Sequence, residues 1–274
     1  MAVYQDKAKE RIKKGLRRMN GVVERAIRDD WKEADTRKIV TDVLVQLLGW
    51  NEYANITCEQ MIGSRYADFV IRKEGEQIAV IEVKQVGLKL KDTHLNQARL
   101  YAIDEGIDWI VLTNGDHWKV YRMELEGKVP VSKHVFDVTI SDSDMKPAEK
   151  AELLYLMSEE AHRKHEINDY YQRKVALSGP NLADHILGDD VINKLRNSIR
   201  STTGQRLSNS EIANALVSRL FRPDAVTEDH QKAIKKMIRQ EKQKSSLKKS
   251  SPNEPSFPAE TVRVPVKGVA DCTW

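Results

Sequence analysis

Cysteine is nearly absent: Cys58 and Cys272 are the only two in 274 residues. Too few and too far apart, they exclude a disulfide framework and a cysteine metal cluster. No apolar run approaches the length of a membrane span, and residues 1–4 (MAVY) lack the apolar core of a signal peptide. The chain is therefore expected to be soluble and cytoplasmic, with no membrane partner. A dominant charge of one sign is missing as well. Lys and Arg number 45 against 41 Asp and Glu, a net charge of +4, so any basic surface for nucleic acid has to be local. The phosphate-cradling pattern GxxxxGK[ST] does not occur, which leaves no P-loop motor in the sequence.

What is present centres on residues 67–84, ADFVIRKEGEQIAVIEVK. The stretch reads as two apolar strands joined at Gly75, and each carries charge where a buried strand should be apolar. Asp68 interrupts the first, Glu82 and Lys84 the second. Side chains alternate between faces along a strand. Ile78, Val80, Glu82 and Lys84 are thus expected on one face, with Ala79, Ile81 and Val83 on the other. A hairpin centred on Gly75, with a three- or five-residue loop, sets Asp68 opposite Glu82. Two carboxylates and an ammonium then converge on one half-buried patch.

Close carboxylates repel, and each loses hydration on burial. A divalent cation relieves both penalties, and hard oxygen ligands suit Mg²⁺, with Mn²⁺ as a substitute. Lys84 can steer a water or stabilise charge building on a phosphate. The chemistry suggested is metal-assisted phosphodiester hydrolysis. The plainer alternative is a structural Glu-Lys pair at a strand end. Acid, any residue, lysine also occurs at residues 30–32, 126–128 and 144–146. None of those lies inside an apolar strand that follows another acid-bearing strand.

Asp68, thirteen residues, then Glu82, Val83 and Lys84 resembles the signature of the PD-(D/E)xK nuclease superfamily, with Ala67 standing where the signature has proline. EADTRK at 33–38 and LLGW at 47–50 precede this stretch; QARLY at 97–101 and LTNGDHW at 112–118 follow it. In that order they resemble the N-terminal nuclease domain of type I restriction endonuclease R subunits, over roughly residues 25–125. The resemblance implies a restriction-endonuclease-like α/β fold and a Mg²⁺-dependent DNA endonuclease of restriction or defence type. It implies Asp68, Glu82 and Lys84 as catalytic residues. The metal would be held by Asp68, Glu82 and the Val83 carbonyl, with Glu33 as an auxiliary ligand and Gln97 with Tyr101 on the DNA backbone. From the residues alone, Glu33 can equally serve the positive end of a helix, and Tyr101 can be a core aromatic. Without a phosphate loop, the chain is expected to supply a nuclease module and no ATP-driven motor. The alternative function is a non-catalytic nucleic-acid-binding or assembly module on the same fold.

Elsewhere the pattern is α/β, a mixed central sheet flanked by helices, followed by a helical C-terminal region. Residues 5–29 read as a polar helix with a solvated basic face. A core helix is expected over 35–48, closed by Gly49, and another over 92–105 with Leu95, Ala98, Ala102 and Ile103 as its packing side. The apolar run 107–112, reached through that helix, reads as a strand parallel to its predecessor. Trp118 begins a returning strand, and residues 129–140 add an edge strand. The expected domains are 1–140 (nuclease-like), 141–243 (helical) and 244–274 (linker and tail, with a short strand over 261–269). Helices over 189–200 and 208–221, the second opened by a Ser208–Glu211 capping box, suit a plain bundle able to form a homodimer better than a helix-turn-helix reader.

Overall fold

The computed structural model describes residues 3–62 and 65–249. The chain forms two compact units, the first ending at Ala176 and the second beginning at Leu177.

In the first unit, helices α1 (Val3–Arg28), α2 (Glu33–Asp42) and the short α3 (Glu52–Asn55) precede a six-stranded mixed sheet. Its strands lie side by side in chain order: β1 (Ile56–Ile62), β2 (Arg65–Lys73), β3 (Glu76–Val83), β4 (Trp109–Thr113), β5 (His117–Glu126) and β6 (Val129–Thr139). All neighbours are antiparallel except β3 and β4. That parallel step needs a crossover, supplied by α4 (Leu95–Glu105), which Gly106 closes in the left-handed conformation at φ +67°. Every residue of β4 is buried, as expected of a strand covered on both faces. On one face, Phe69, Ile81 and Val111 pack with α1, α2 and three following helices, α5 (Pro147–Tyr155), α6 (Glu159–Arg163) and α7 (Glu166–Ala176). On the other face, Val80, Ile110 and Leu112 pack with Leu95, Ala98, Tyr101 and Ala102 of α4. Tyr101 takes the inward position expected of Ile103, which is 40% exposed.

Helix α1 leaves Lys7, Lys13, Lys14, Arg17 and Arg18 exposed, as expected of a solvated basic face, and has a buried face besides. Ala8, Ile12, Leu16, Met19, Val23 and Ala26 recur at helical spacing and are all buried. Two of its basic residues reach the helices after the sheet: Lys9 pairs with Glu152 of α5 at 2.5 Å and Arg11 with Glu160 of α6 at 2.6 Å. Arg11 Nε also donates to the Leu47 carbonyl at 2.9 Å. The guanidinium thereby satisfies an open carbonyl where α2, prolonged by a π-helical turn over Val43–Leu47, comes to an end.

The β2–β3 hairpin reaches its expected register by a different route. Its turn has two residues, Glu74 at φ +53° and Gly75 at φ +90°, a left-handed pair that matches strand twist. Arg72 pairs with Gln77, and then Ile71 pairs with Ala79, which leaves Ile78 as an extra, bulged residue. A two-residue turn plus one extra residue equals a three-residue loop in count. The bulge carries Ile78 to the face of Ala79 and Ile81, against the larger core, and away from Val80.

In the second unit, α8 (Gly179–Ile186) precedes α9 (Asp189–Thr203), α10 (Asn209–Ala215) and α11 (Glu228–Lys249). Ile192, Ile212, Ala213 and Ile234, drawn from the last three, form a small separate core. The capping box is made: Ser208 N–H donates to Glu211 Oε2 at 2.8 Å, and Glu211 N–H to Ser208 Oγ at 3.2 Å. Arg196, one of the arginines suited to a DNA reader, donates to Asn209 at 3.1 Å and so ties α9 to α10. Residues 250–274, with most of the expected linker and the closing strand, lie outside the described residues. No described helix is long and apolar enough to cross a membrane.

Candidate active site

The site lies where β3 leaves the sheet. The β2–β3 pairing of Phe69 with Ile81 puts Asp68 and Glu82 at the next facing position. Asp68 turns toward its neighbour strand: its Oδ2 accepts the Val83 N–H at 2.7 Å. Glu82 is only 2% exposed, and Lys84 Nζ donates to its Oε1 at 2.5 Å. Its other oxygen, Oε2, is buried with no hydrogen-bond partner. A buried acceptor left open is costly. Burial raises the Glu82 carboxyl above its usual range; Lys84 offsets part of this, while Asp68 and Glu33 add repulsion. Burial by itself would lower the Lys84 ammonium, but Glu82 first, then Glu33 and Asp68, outweigh it and raise the group.

Helix α2 brings two more residues to this cluster. Glu33 is its first residue, so both readings from the sequence meet here: it sits at the positive helix end and its charge is felt at Glu82. One turn on, Arg37 Nη2 lies 2.6 Å from Asp68 Oδ1 and 3.4 Å from Glu33 Oε1. Its Nη1 lies 3.3 Å from Glu59 Oε1 on β1. The placement of α2 is specified from two sides. Thr36 Oγ1 accepts the Val86 N–H, and the turn at Gly115 (φ +82°) passes so close that a Cβ there would meet Thr36 Cγ2 at 3.2 Å.

Of the residues singled out in the sequence, the structure brings Asp68, Glu82, Val83, Lys84 and Glu33 together. Gln97 lies in the first turn of α4 and is exposed, and its Nε2 donates to the Tyr66 carbonyl near the start of β2 at 2.6 Å. Tyr101 is elsewhere. It is 1% exposed, its hydroxyl is enclosed without a partner, and the charges acting on it are Glu105 and Arg72. Arg37 and Glu59 were given no role from the sequence. Arg37 carried a signal, since it stands four residues after Glu33 on one helix flank. Glu59 carried none, because its approach depends on a left-handed backbone (φ +50°) within β1.

As a donor set the cluster fits a hard divalent cation: facing carboxylates, one with an unpartnered oxygen, and no competing thiol or imidazole among the residues just described. Among the described residues no group of three or more His, Cys, Asp or Glu is placed to hold a metal ion. A cation here would need backbone oxygen or water to complete its shell, the manner in which Mg²⁺ is usually held.

Residues 32–148 match the family model of the type I restriction enzyme R protein N terminus. The matched residues include the EADTRK, Asp68/Glu82/Lys84, QARLY and LTNGDHW motifs that carry the resemblance, and the whole acid cluster. No curated protein and no solved structure matches the chain.

Proposed function

We propose that the first unit is a metal-dependent nuclease that hydrolyses phosphodiester bonds in nucleic acid, with DNA as the substrate and Mg²⁺ as the ion. One observation carries this reading: Glu82, facing Asp68 and bonded to Lys84, keeps a buried carboxylate oxygen without a protein partner. The type I R-protein match over the same residues supports it. When bound, the cation would supply Lewis-acid stabilisation of the phosphate and of an attacking water. Asp68, Glu82 and the Val83 carbonyl are the residues proposed to hold it, with Glu33 reinforcing the negative field from the start of α2. Lys84 orients the water for in-line attack and stabilises charge on the phosphate. Gln97, exposed in the first turn of α4, is proposed to fix the backbone of the substrate. Tyr101, whose hydroxyl is enclosed, is left out of that contact.

A non-catalytic binding module on this fold is the competing reading, and the engagement of Asp68 by Arg37 is the observation that favours it. A plasmid-nicking assay decides between them. The wild-type chain should nick DNA with Mg²⁺ and not with a chelator, and Lys84→Ala should abolish nicking while retaining the folded circular dichroism spectrum. Nicking by Lys84→Ala at the wild-type rate would remove Lys84 from the chemistry. Binding of DNA with no Mg²⁺-dependent nicking would establish the competing reading.

A further inference from the structure

The residue at the middle of the acid cluster is a cation of the chain itself. Arg37 reaches acids on three elements: Glu33 on α2, Glu59 on β1 and Asp68 on β2. Four carboxylates, counting Glu82, face two cations, Arg37 and Lys84. The shortfall of two charges is that of one divalent ion. The contacts of Arg37 are also graded. Its partner Asp68 has a side chain 10% exposed, whereas Glu33 and Glu59 are 42% and 69% exposed. The guanidinium can thus turn outward while keeping the two outer acids. Its present position leaves Nε buried with no acceptor, a penalty that an outward turn relieves.

Glu59 supplies an independent sign that this arrangement is held on purpose. It is a non-glycine residue in the left-handed region at φ +50°, within a strand whose pairing steps from Cys58–Phe69 to Gln60–Ala67 around it. Such backbone states persist where the surroundings enforce them, and they concentrate at ligand clamps and switches. Here the conformation serves to bring a carboxylate to Arg37.

We propose that Arg37 is a resident counter-cation of this site: it neutralises Asp68 while no metal is present, and a divalent ion displaces it toward Glu59 and Glu33. Arg37 is therefore a positioning residue that keeps the acids together and sets how tightly the ion binds. The proposal rests on the metal-dependent reading of the same cluster.

The test uses the full chain and two divalent ions, Mg²⁺ and Ca²⁺, without DNA. The Arg37 Nε–H resonance, identified by its loss in Arg37→Lys, should shift on titration and saturate together with the calorimetric binding curve. Arg37→Met should bind either ion roughly tenfold more tightly, since a competing charge-assisted contact is gone, and should melt at a lower temperature than wild type in chelator. Arg37→Lys, which keeps a cation, should fall nearer wild type in affinity. Ion binding that leaves the Arg37 resonance unmoved, or that is no tighter in Arg37→Met, overturns the exchange and leaves the nuclease reading standing. If neither wild type nor variant binds an ion, both fall. Should Arg37→Met fail to fold, the wild-type titration decides alone.

Discussion

Thr36 Oγ1 accepts the backbone N–H of Val86 at 3.0 Å and donates to the Lys32 carbonyl at 3.1 Å. One fully buried hydroxyl thus binds the first turn of α2, which carries Glu33 and Arg37, to the chain two residues beyond Lys84. The two halves of the candidate site come from distant parts of the sequence, and this is a direct polar link between them.

Thr36→Val should test that link. The substitution keeps shape and leaves the Val86 N–H buried without an acceptor, at a cost of about 1–3 kcal/mol. Urea unfolding should register that loss, and nicking should slow as Glu33 and Arg37 on α2 lose their fixed relation to β3. A variant with wild-type stability and wild-type nicking would show that packing around Gly115 positions α2 without the hydroxyl.

Tyr101→Phe should be neutral or stabilising, by up to about 1 kcal/mol, because it removes an enclosed hydroxyl that has no partner. Nicking should be unaffected. A large fall in nicking with unchanged stability would return Tyr101 to the substrate contact that the family resemblance implies.

Acid should weaken the anchoring of α1. Burial would raise the Glu160 carboxyl, but the bidentate Arg11 contact, its own backbone and Ser158 outweigh this and hold it below its ordinary value. A carboxyl depressed in the folded state adds stability that is complete above its unfolded value, near 4.5, and is lost as pH falls through the folded value. Glu160→Gln should therefore be less stable than wild type by about 1 kcal/mol at pH 7, and the gap should close below pH 4. A gap that persists unchanged at pH 3 would locate the effect in packing instead of charge.

The sheet and the acid cluster were legible for a shared reason: both rest on a period of two. The charged residues in two adjacent apolar runs define which faces meet, and that parity survived an error about the turn, because the Ile78 bulge restores the count. The bulge itself was not legible, since nothing in EGEQIAV separates a three-residue loop from a two-residue turn with one residue squeezed out. Helix α1 was obscured by its own charge; Lys and Arg at most outward positions between residues 7 and 18 masked a buried stripe of small and aliphatic residues. Ile103 and Tyr101 were exchanged for a related reason. Spacing marks which residues lie near the packing side of α4, and only the neighbouring strands decide which of two flanking residues turns in. Arg37 and Glu59 required contacts between α2, β1 and β2, and Glu59 needed a backbone state that no side-chain pattern encodes.

Five of the sheet's six strands can pair with the one synthesised just before them, so the sheet can be assembled largely as the chain emerges. Helix α1 cannot be completed on that schedule. Its Arg11 waits for Glu160, 149 residues later, and its stripe of Ile12, Leu16, Met19 and Val23 shares a core with residues as late as Tyr171. Helix α1 is made before the sheet, yet its apolar stripe is fully covered only once α5 to α7 are in place. A nascent chain stalled before α6 should accordingly be a better chaperone client than one stalled after α7, a difference set by the order of synthesis and not by the stability of the finished fold.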